Sequence, residues 1–388
     1  MGSQTTGALG ARAVINAAAT LTVLGGGRLP DEVVRAMVEA SRTQVDMHEL
    51  FVLAGEQLAA LTRNEAAYVT CGAASAIAHG VMACVTAGDP AAIAAMPRGE
   101  ALRTNVVMHC AHRIPYDRVI ELVGCSIVQV GNAIQTFDWE LERALTDRVA
   151  CVIWVAGSHL PPASLSLERT VAIAHARGVP VLVDAAAQLP PVRNLWHFTR
   201  EAGADLAAFS GGKAMRGPQA SGLLVGRADL IAAARANGTP NQRLLRSLKV
   251  GREEIAGLVA AVARYVDLDH EALLAGWEAT VSEWIEQLAG IAGVRAERVW
   301  PNEAGQPTPR LAITVDPAVL GRGASDLVAA LWGKDPRIAV LPGVGDVFYV
   351  TPDTLNEGEA DLVIRAVTEA LGRTRPASPT TRTGDDRG

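Results

Sequence analysis

Short apolar runs separated by amphipathic stretches fill the chain from Ala66 to Asn237. AAYVTC (66–71), NVVMHC (105–110), SIVQVG (126–131), CVIWVA (151–156), PVLVDA (180–185), DLAAFS (205–210) and GLLVG (222–226) have the length of strands. Most lack the polar–apolar alternation of a strand with one wet face, so they predict strands buried on both faces. Helical periodicity lies between them at 73–87, 116–123, 138–147, 165–177 and 193–202. Strands alternating with helices imply an α/β unit with a mostly parallel sheet between helical layers.

From Glu253 onward the pattern changes to two long helices, 253–267 and 270–290. Short strands follow around 293–299, 309–315, 338–341 and 346–350, with helices at 323–333 and 356–371, an α+β pattern. The expected organisation is therefore an N-terminal segment (1–45) packing on the small domain or a partner subunit, a large domain (46–252), a smaller α+β domain (253–371) and a tail (372–388). The tail is almost free of apolar residues, which predicts disorder.

Composition narrows the function classes. The 388 residues are 49% hydrophobic but only 4% aromatic, enough aliphatic material for two packed cores. A net charge of −6 argues against a nucleic-acid partner, which calls for a basic stripe. No apolar run approaches the roughly 18 residues of a membrane span. The start of the chain lacks the features of a signal peptide. Five cysteines without a CxxC spacing predict neither a disulfide framework nor a zinc site. A cytoplasmic protein with a small-molecule substrate, no membrane partner and no metal is expected.

Four features fall at the ends of expected strands, where open parallel sheets bind their ligands. In TCGAASAIAHGV (70–81) the amides of Gly72, Ala73 and Ala74 and the Ser75 hydroxyl would form an anion cradle at a helix N-terminus. Read alone, the same residues fit an ordinary strand-to-helix turn. In VLVDAAAQLPP (181–191), Asp184 ends an apolar strand, where a carboxylate is costly unless something cationic faces it. A pyridinium nitrogen fits that need, with Ala186 against the ring face and Gln188 donating to a ring oxygen. A helix N-cap explains an Asp there equally well. In AFSGGKAMRGPQASG (208–222), Lys213 follows an apolar strand among small residues, and desolvation lowers the pKa of such an amine. Ser210 adds a hydroxyl on the phosphate side. In HCAHRIPYDR (109–118), His112 is placed to stack on the ring's open face, a structural histidine being nearly as good a reading. The order of the four, more than any one of them, points to a pyridoxal-phosphate site with Lys213 as Schiff-base lysine.

These residues resemble a known family. VINAAATLTVLGGGRLP (14–30), VDMHEL (45–50), VTCGAASA (69–76), PVLVDAAAQLPP (180–191), DLAAFSGGKAMRGPQASGLLVGR (205–227) and LKVGREEIAGLVAAVARY (248–265) are similar to the selenocysteine synthase-like group of fold-type I pyridoxal-phosphate enzymes. Within that group they most resemble the D-glucosaminate-6-phosphate ammonia-lyases and their relatives. The resemblance spans roughly residues 12–370. It implies an aspartate-aminotransferase-like fold, pyridoxal 5'-phosphate on Lys213, Asp184 at the pyridinium and a phosphate loop at Gly72–Ser75. It also implies a homodimer or higher homo-oligomer with shared active sites. Asn16, Thr20, Arg28, His112, Gln188, Ser210, Arg216 and Lys249 are further family positions.

The expected chemistry is action at the Cα of an amino acid. Elimination of ammonia from a β-hydroxy amino acid or amino sugar acid, leaving a 2-oxo acid, leads the alternatives. Lys213 would act as base, and Arg310, Arg216 or Arg28 would clamp the carboxylate, with Thr20 nearby. A racemase or epimerase, with His112 or a partner-subunit residue as second base, and a silent cofactor-binding scaffold stay open. A nucleotide-dependent oxidoreductase suggested by VLGGGRLP (23–30) does not fit, because no G-x-G-x-x-G follows a strand there.

Overall fold

A computed structural model of the chain describes residues 7–157 and 160–372. The tail expected over 372–388 lies outside the described residues except for Gly372. Contacts divide the chain into a large unit, Thr20–Leu274 with Pro301–Thr308, and a small unit holding the described parts of 1–19, 275–300 and 309–388.

The large unit is built on seven strands: β1 (Ala66–Thr70), β2 (Asn105–His109), β3 (Ser126–Val130), β4 (Val149–Val155), β5 (Val181–Asp184), β6 (Leu206–Ser210) and β7 (Gly222–Gly226). Their order is β1-β7-β6-β5-β4-β2-β3, and only β7 runs antiparallel to its neighbours. All seven strands begin or end within two residues of the apolar runs that predict them. The sheet is covered on both faces, which explains those runs: Val181, Leu182, Val183 and Leu206 are fully buried. Helix Ala73–Thr86 lies across the sheet with nearly every side chain buried. A methyl at its Gly80 would press on the Leu182 side chain at 2.9 Å, so glycine lets this helix approach the sheet closely.

Helices Asp31–Ser41, Met47–Thr62 and Arg252–Asp267 pack on one another within the large unit. Residues 20–45 and 253–274 thus belong with the large sheet, and the unit boundaries fall away from the 45/46 and 252/253 divisions expected from sequence. The first two helices, and Ala228–Asn237, were not anticipated by periodicity. Asp31–Ser41 does turn one periodic face inward, Val33, Ala36, Met37 and Ala40, with Val33 alone fully buried. The helix expected over 193–202 forms as an α-helical turn at Asn194–Trp196 that widens into a π-helix at His197–Glu201. Among the described residues no helix is long and apolar enough to cross a membrane.

The small unit carries a four-stranded antiparallel sheet of Leu341–Pro342, Val347–Val350, Arg310–Val315 and Val294–Val299, in that spatial order. Helices Ala324–Gly333 and Glu359–Ala370 supply its core with Trp284 and Phe348. Strand Val14–Asn16 pairs parallel with Arg337–Ala339, which buries Ile15 against Ile338 in that core. The start of the described chain is thereby tied to the small unit.

Gly222 is the residue on which the large sheet's functional edge closes. It pairs with Thr70 on one side and Ser210 on the other. A Cβ there would lie 2.3 Å from the Gly72 carbonyl carbon and 2.4 Å from its oxygen, backbone atoms with no rotamer to adopt. Gly222→Ala is expected to lower stability by about 1–3 kcal/mol through overpacking and to displace the turn at Gly72. Urea unfolding measures it; wild-type stability in the variant would mean that this edge is looser than described.

Candidate active site

The parallel strands β2, β4, β5 and β6 end at one edge of the sheet, and β1 ends there too, being antiparallel to β7 as β6 is. Apolar strands deliver backbone to this edge in fixed register; the residues just beyond them carry the chemistry.

Asp184 is the last residue of β5, in register with Val155 of β4 and Ala208 of β6. Its Oδ1 accepts from the Ala186 N–H at 3.1 Å, a local turn that no helix continues, so the N-cap alternative does not hold. Burial raises its pKa, while the Ala186 N–H and the charge of Lys213 oppose the rise.

Lys213 lies three residues past β6. Its loop is fastened by Gly211 N–H to Ser221 O at 2.9 Å, Gly217 N–H to Gly211 O at 2.8 Å and Arg216 N–H to Lys213 O at 2.8 Å. Gly27 N–H donates to Gly212 O at 2.9 Å, and a Cβ on Gly26 would come within 2.6 Å of that oxygen. Gly26 and Gly27 are therefore packed against the lysine loop. Arg216 holds a left-handed backbone (φ +55°), and its Nε donates to Arg28 O at 2.7 Å. Burial pushes the Lys213 pKa down; the charges of Asp184 and then Glu303 push it back up.

The third part is the turn from β1 into helix Ala73–Thr86. Gly72 takes φ +106°, a conformation costly for other residues, and accepts from Thr70 Oγ1 at 3.0 Å. The first intrahelical bond is Ala76 N–H to Gly72 O at 3.0 Å, which leaves the first-turn amides of Ala73, Ala74 and Ser75 without an intrahelical acceptor. Ser75 is buried, its Oγ 3.3 Å from His79 Nδ1; that nitrogen lies 2.7 Å from Ser75 O, so it carries the proton. Ser210 ends β6 opposite Gly222, on the far side from Thr70, so hydroxyl and turn face the same sheet edge.

His112 is buried, with its Nδ1 accepting from the Val155 N–H at 3.1 Å. That bond puts the ring's proton on Nε2 and clips the ring beside the strand end next to Asp184. Trp154 and His109 meet it edge-on, each at 5.1 Å between centroids. Burial and the neighbouring His109 push its pKa down to about 3. Gln188 is buried, and its Nε2 donates to Ala304 O at 3.1 Å. Ala186 is half-buried in the turn after Asp184.

Gly72–Ser75, His112, Asp184, Ala186, Gln188, Ser210, Lys213, Arg216, Arg28 and Thr20 thus share the large unit. Thr20 and Arg28 lie on the segment that reaches the lysine loop, and Lys249 is exposed on the same unit. Asn16 and Arg310 belong to the small unit. Asn16 closes a turn onto Ala18 and Ala19, and the Arg310 guanidinium lies 4.0 Å over the Tyr349 ring. Sequence reasoning missed the segment Pro301–Thr308 and its Glu303, whose loop composition gives no hint of where it docks. Among the described residues no group of three His, Cys, Asp or Glu is arranged for a metal ion.

The donor set suits a phosphorylated pyridinium cofactor. Free helix amides and a hydroxyl meet an anion, a buried carboxylate meets a cationic ring nitrogen, and a desolvated amine meets an aldehyde.

Residues 14–323 match the family described as SelA, L-seryl-tRNA selenium transferase. D-glucosaminate-6-phosphate ammonia lyase of Salmonella typhimurium is 32% identical over 368 residues, 93% of this chain and 96% of the relative. A 5'-C-glycyluridine monooxygenase-decarboxylase from a Streptomyces species is 34% identical over 373 residues, 94% and 91% of the two chains. A solved structure of D-glucosaminate-6-phosphate ammonia-lyase aligns at TM-score 0.82 with 32% identity, covering 94% of this chain and 96% of the other. Serine palmitoyltransferase from S. paucimobilis, solved with a bound PLP-myriocin aldimine, aligns at TM-score 0.57 and 13% identity over 92% and 86%, a likeness of fold alone. The fold is that of the fold-type I pyridoxal-phosphate enzymes, as the sequence led one to expect.

Three buried histidines give the large unit an acid sensitivity. Burial pushes the pKa of His79 and His109 down to about 4 and helps push that of His112 to about 3. In the unfolded chain each titrates near the ordinary value of roughly 6.5. Between these values the unfolded state binds more protons, so the stability of the neutral rings is present above roughly pH 6.5 and is lost as pH falls toward 4. Asp184, raised by burial, works the other way, one group against three. Urea unfolding is expected to give lower stability at pH 5 than at pH 7, at up to about 1.4 kcal/mol per pH unit per proton. His109→Gln should flatten the slope by about one proton; equal stability at both pH values would contradict the neutral rings.

Proposed function

The chain belongs to the L-seryl-tRNA selenium transferase (SelA) family, and from that premise we propose that it is a pyridoxal-phosphate lyase that eliminates ammonia from a β-hydroxy amino acid or amino sugar acid. The observation that carries the reading is the buried Asp184 in the electrostatic field of a desolvated Lys213, at the sheet edge that also holds the Gly72 turn. The 32% identity to an ammonia lyase over nearly the whole of both chains supports the reaction type.

In this reading the amides of Gly72–Ser75, with the Ser75 and Ser210 hydroxyls, hold the cofactor phosphate. Asp184 keeps the ring nitrogen protonated, and Ala186 and the neutral His112 ring pack on its two faces. Gln188, its amide already turned toward Ala304, has a second N–H for the ring oxygen. When bound, the group supplies an electron sink for charge developing at Cα. Lys213 holds the group and, once released, takes the Cα proton on Nζ; its burial keeps that amine from being locked as an ammonium. The carboxylate clamp is assigned to Arg310, Arg216 or Arg28, with Thr20 beside the substrate.

His112 serves poorly as the second base of a racemase. Its Nδ1 is occupied by the Val155 N–H, and its pKa of about 3 leaves little basicity. The Streptomyces relative, a monooxygenase-decarboxylase by name, supports a second reading, oxidative decarboxylation. Cytoplasmic location and a homodimer or larger assembly with shared sites go with the proposal. Exposed Val34, Val38, Val52 and Leu53 on helices Asp31–Ser41 and Met47–Thr62 support such an assembly.

Purified protein given pyridoxal phosphate is expected to show a visible absorption band that Lys213→Ala lacks. With D- and L-serine and with amino sugar acids, ammonia and a 2-oxo acid should form in equal amounts. Carbon dioxide release with oxygen uptake would instead select the decarboxylase. Loss of optical rotation without ammonia would select a racemase, and a wild type without the band would end the proposal.

A further inference from the structure

The large unit carries a second cleft, of about 570 Å³, lined in part by Arg63, Asn64, Glu65, Thr199, Arg200 and Arg227. A space of that size takes a small molecule rather than a single ion. It lies where β1 begins and β7 ends, beside the pair Ala66–Gly226. The pair Thr70–Gly222, at the edge that holds the Gly72 turn, is the other end of the same two strands, roughly 13 Å away. The cleft shares no residue with the candidate active site.

Its wall is built from two elements locked together. Helix Met47–Thr62 ends at Arg63, which takes a left-handed backbone (φ +56°). The Arg63 guanidinium lies 4.0 Å over the Trp196 ring, and Arg63 O accepts from Arg200 Nη1 at 3.2 Å. Asn64 Nδ2 donates to Thr62 O and Leu195 O, each at 2.8 Å, and Thr199 Oγ1 donates to Asn64 Oδ1 at 2.5 Å. Thr199 and Arg200 belong to the π-helix His197–Glu201, a widened turn of the kind that recurs at functional sites.

The charges on this wall are unevenly paired. Arg227 is neutralised by Asp205 at 2.7 Å and Asp229 at 2.6 Å. Glu65 Oε2 accepts from the Ala228 N–H at 3.1 Å, which leaves its other oxygen open. Among the described residues the Arg63 guanidinium meets the Trp196 ring and that of Arg200 meets the Arg63 carbonyl, and neither meets a carboxylate. Two guanidiniums brought to one cleft without a counter-charge present the planar donor forks that match a phosphate.

We propose that this cleft binds a phosphate monoester of a small hydroxylated molecule, the phosphate on Arg63 and Arg200 and a hydroxyl donating to Glu65. The site is separate from the one where the reaction is placed, and it does not rest on the reading of Lys213.

The test labels the full chain with phenylglyoxal, which adds to guanidinium groups, and follows each arginine by peptide mass spectrometry. Exposed Arg143 is the reference. Reading residue by residue keeps any phosphate held at the Gly72 turn out of the result. With glycerol 3-phosphate at about 10 mM, and a dissociation constant of about 1 mM, labelling of Arg63 and Arg200 should slow about tenfold while Arg143 does not change. Glycerol alone should not protect, and inorganic phosphate should need a higher concentration. In Arg200→Gln, an exposed position, protection of Arg63 should fall below about twofold at an unchanged urea midpoint. Unslowed labelling, equal slowing of Arg143 or equal slowing by sodium chloride of matched ionic strength overturns the proposal, and these wild-type results decide it without the variant. Full protection of Arg63 in Arg200→Gln also overturns it, and inorganic phosphate as effective as the ester would overturn the hydroxyl contact to Glu65.

Discussion

A carboxylate at the end of a wholly apolar strand is the constraint around which the large unit is arranged. Val181, Leu182 and Val183 are sealed from water on both faces of the sheet, and the strand they form delivers Asp184 into the same seal. An ionised group in such a place is tolerated only if it is paired, hydrogen-bonded or neutralised. Here the Ala186 N–H and the Lys213 charge both favour the ionised form against burial. Lys213 is in the converse position, pushed toward the neutral amine by burial and held back by two carboxylates. Neither group has its ordinary proton affinity, and perturbed pairs of this kind concentrate at reactive sites.

The rest of the edge depends on small residues that let backbone approach backbone. Gly222 lies against the Gly72 carbonyl, Gly26 and Gly27 against the lysine loop, and Gly80 against Leu182. A methyl group at Gly222 or Gly26 would run into backbone, and one at Gly27 or Gly80 would force its neighbour to shift. Arg216 holds its left-handed conformation because its N–H is bound to Lys213 O and its guanidinium to Arg28 O. A non-glycine residue in that region, three residues past Lys213, fits a loop whose shape is set by its neighbours rather than by its own preference. The donor set is held rigid before any ligand arrives, which suits chemistry that depends on placing a proton acceptor within reach of one carbon.

The large sheet was legible in the sequence because its strands are buried on both faces and read as unbroken apolar runs. The positions of Gly72–Ser75, Asp184 and Lys213 at or just past strand ends were legible for the same reason. Helix Asp31–Ser41 was not, because the exposed Val34 and Val38 blur in the sequence the inward face made by Val33, Ala36, Met37 and Ala40. The role of His112 was only half legible. Its ring is at the edge, but the bond from the Val155 N–H that settles its tautomer joins residues on separate elements. The loop 301–308 was invisible for a like reason. Its polar composition says turn, and only Gln188 and Gln306, from opposite sides of the contact, say where it docks.

Lys213 is proposed as the amine that carries the cofactor. Borohydride reduction of the protein in the presence of pyridoxal phosphate, followed by peptide mass spectrometry, addresses it directly. One stably modified peptide is expected, the one containing Lys213, and none in protein carrying Lys213→Ala. Modification at Lys249 or Lys334 instead, or no stable adduct at all, would contradict it.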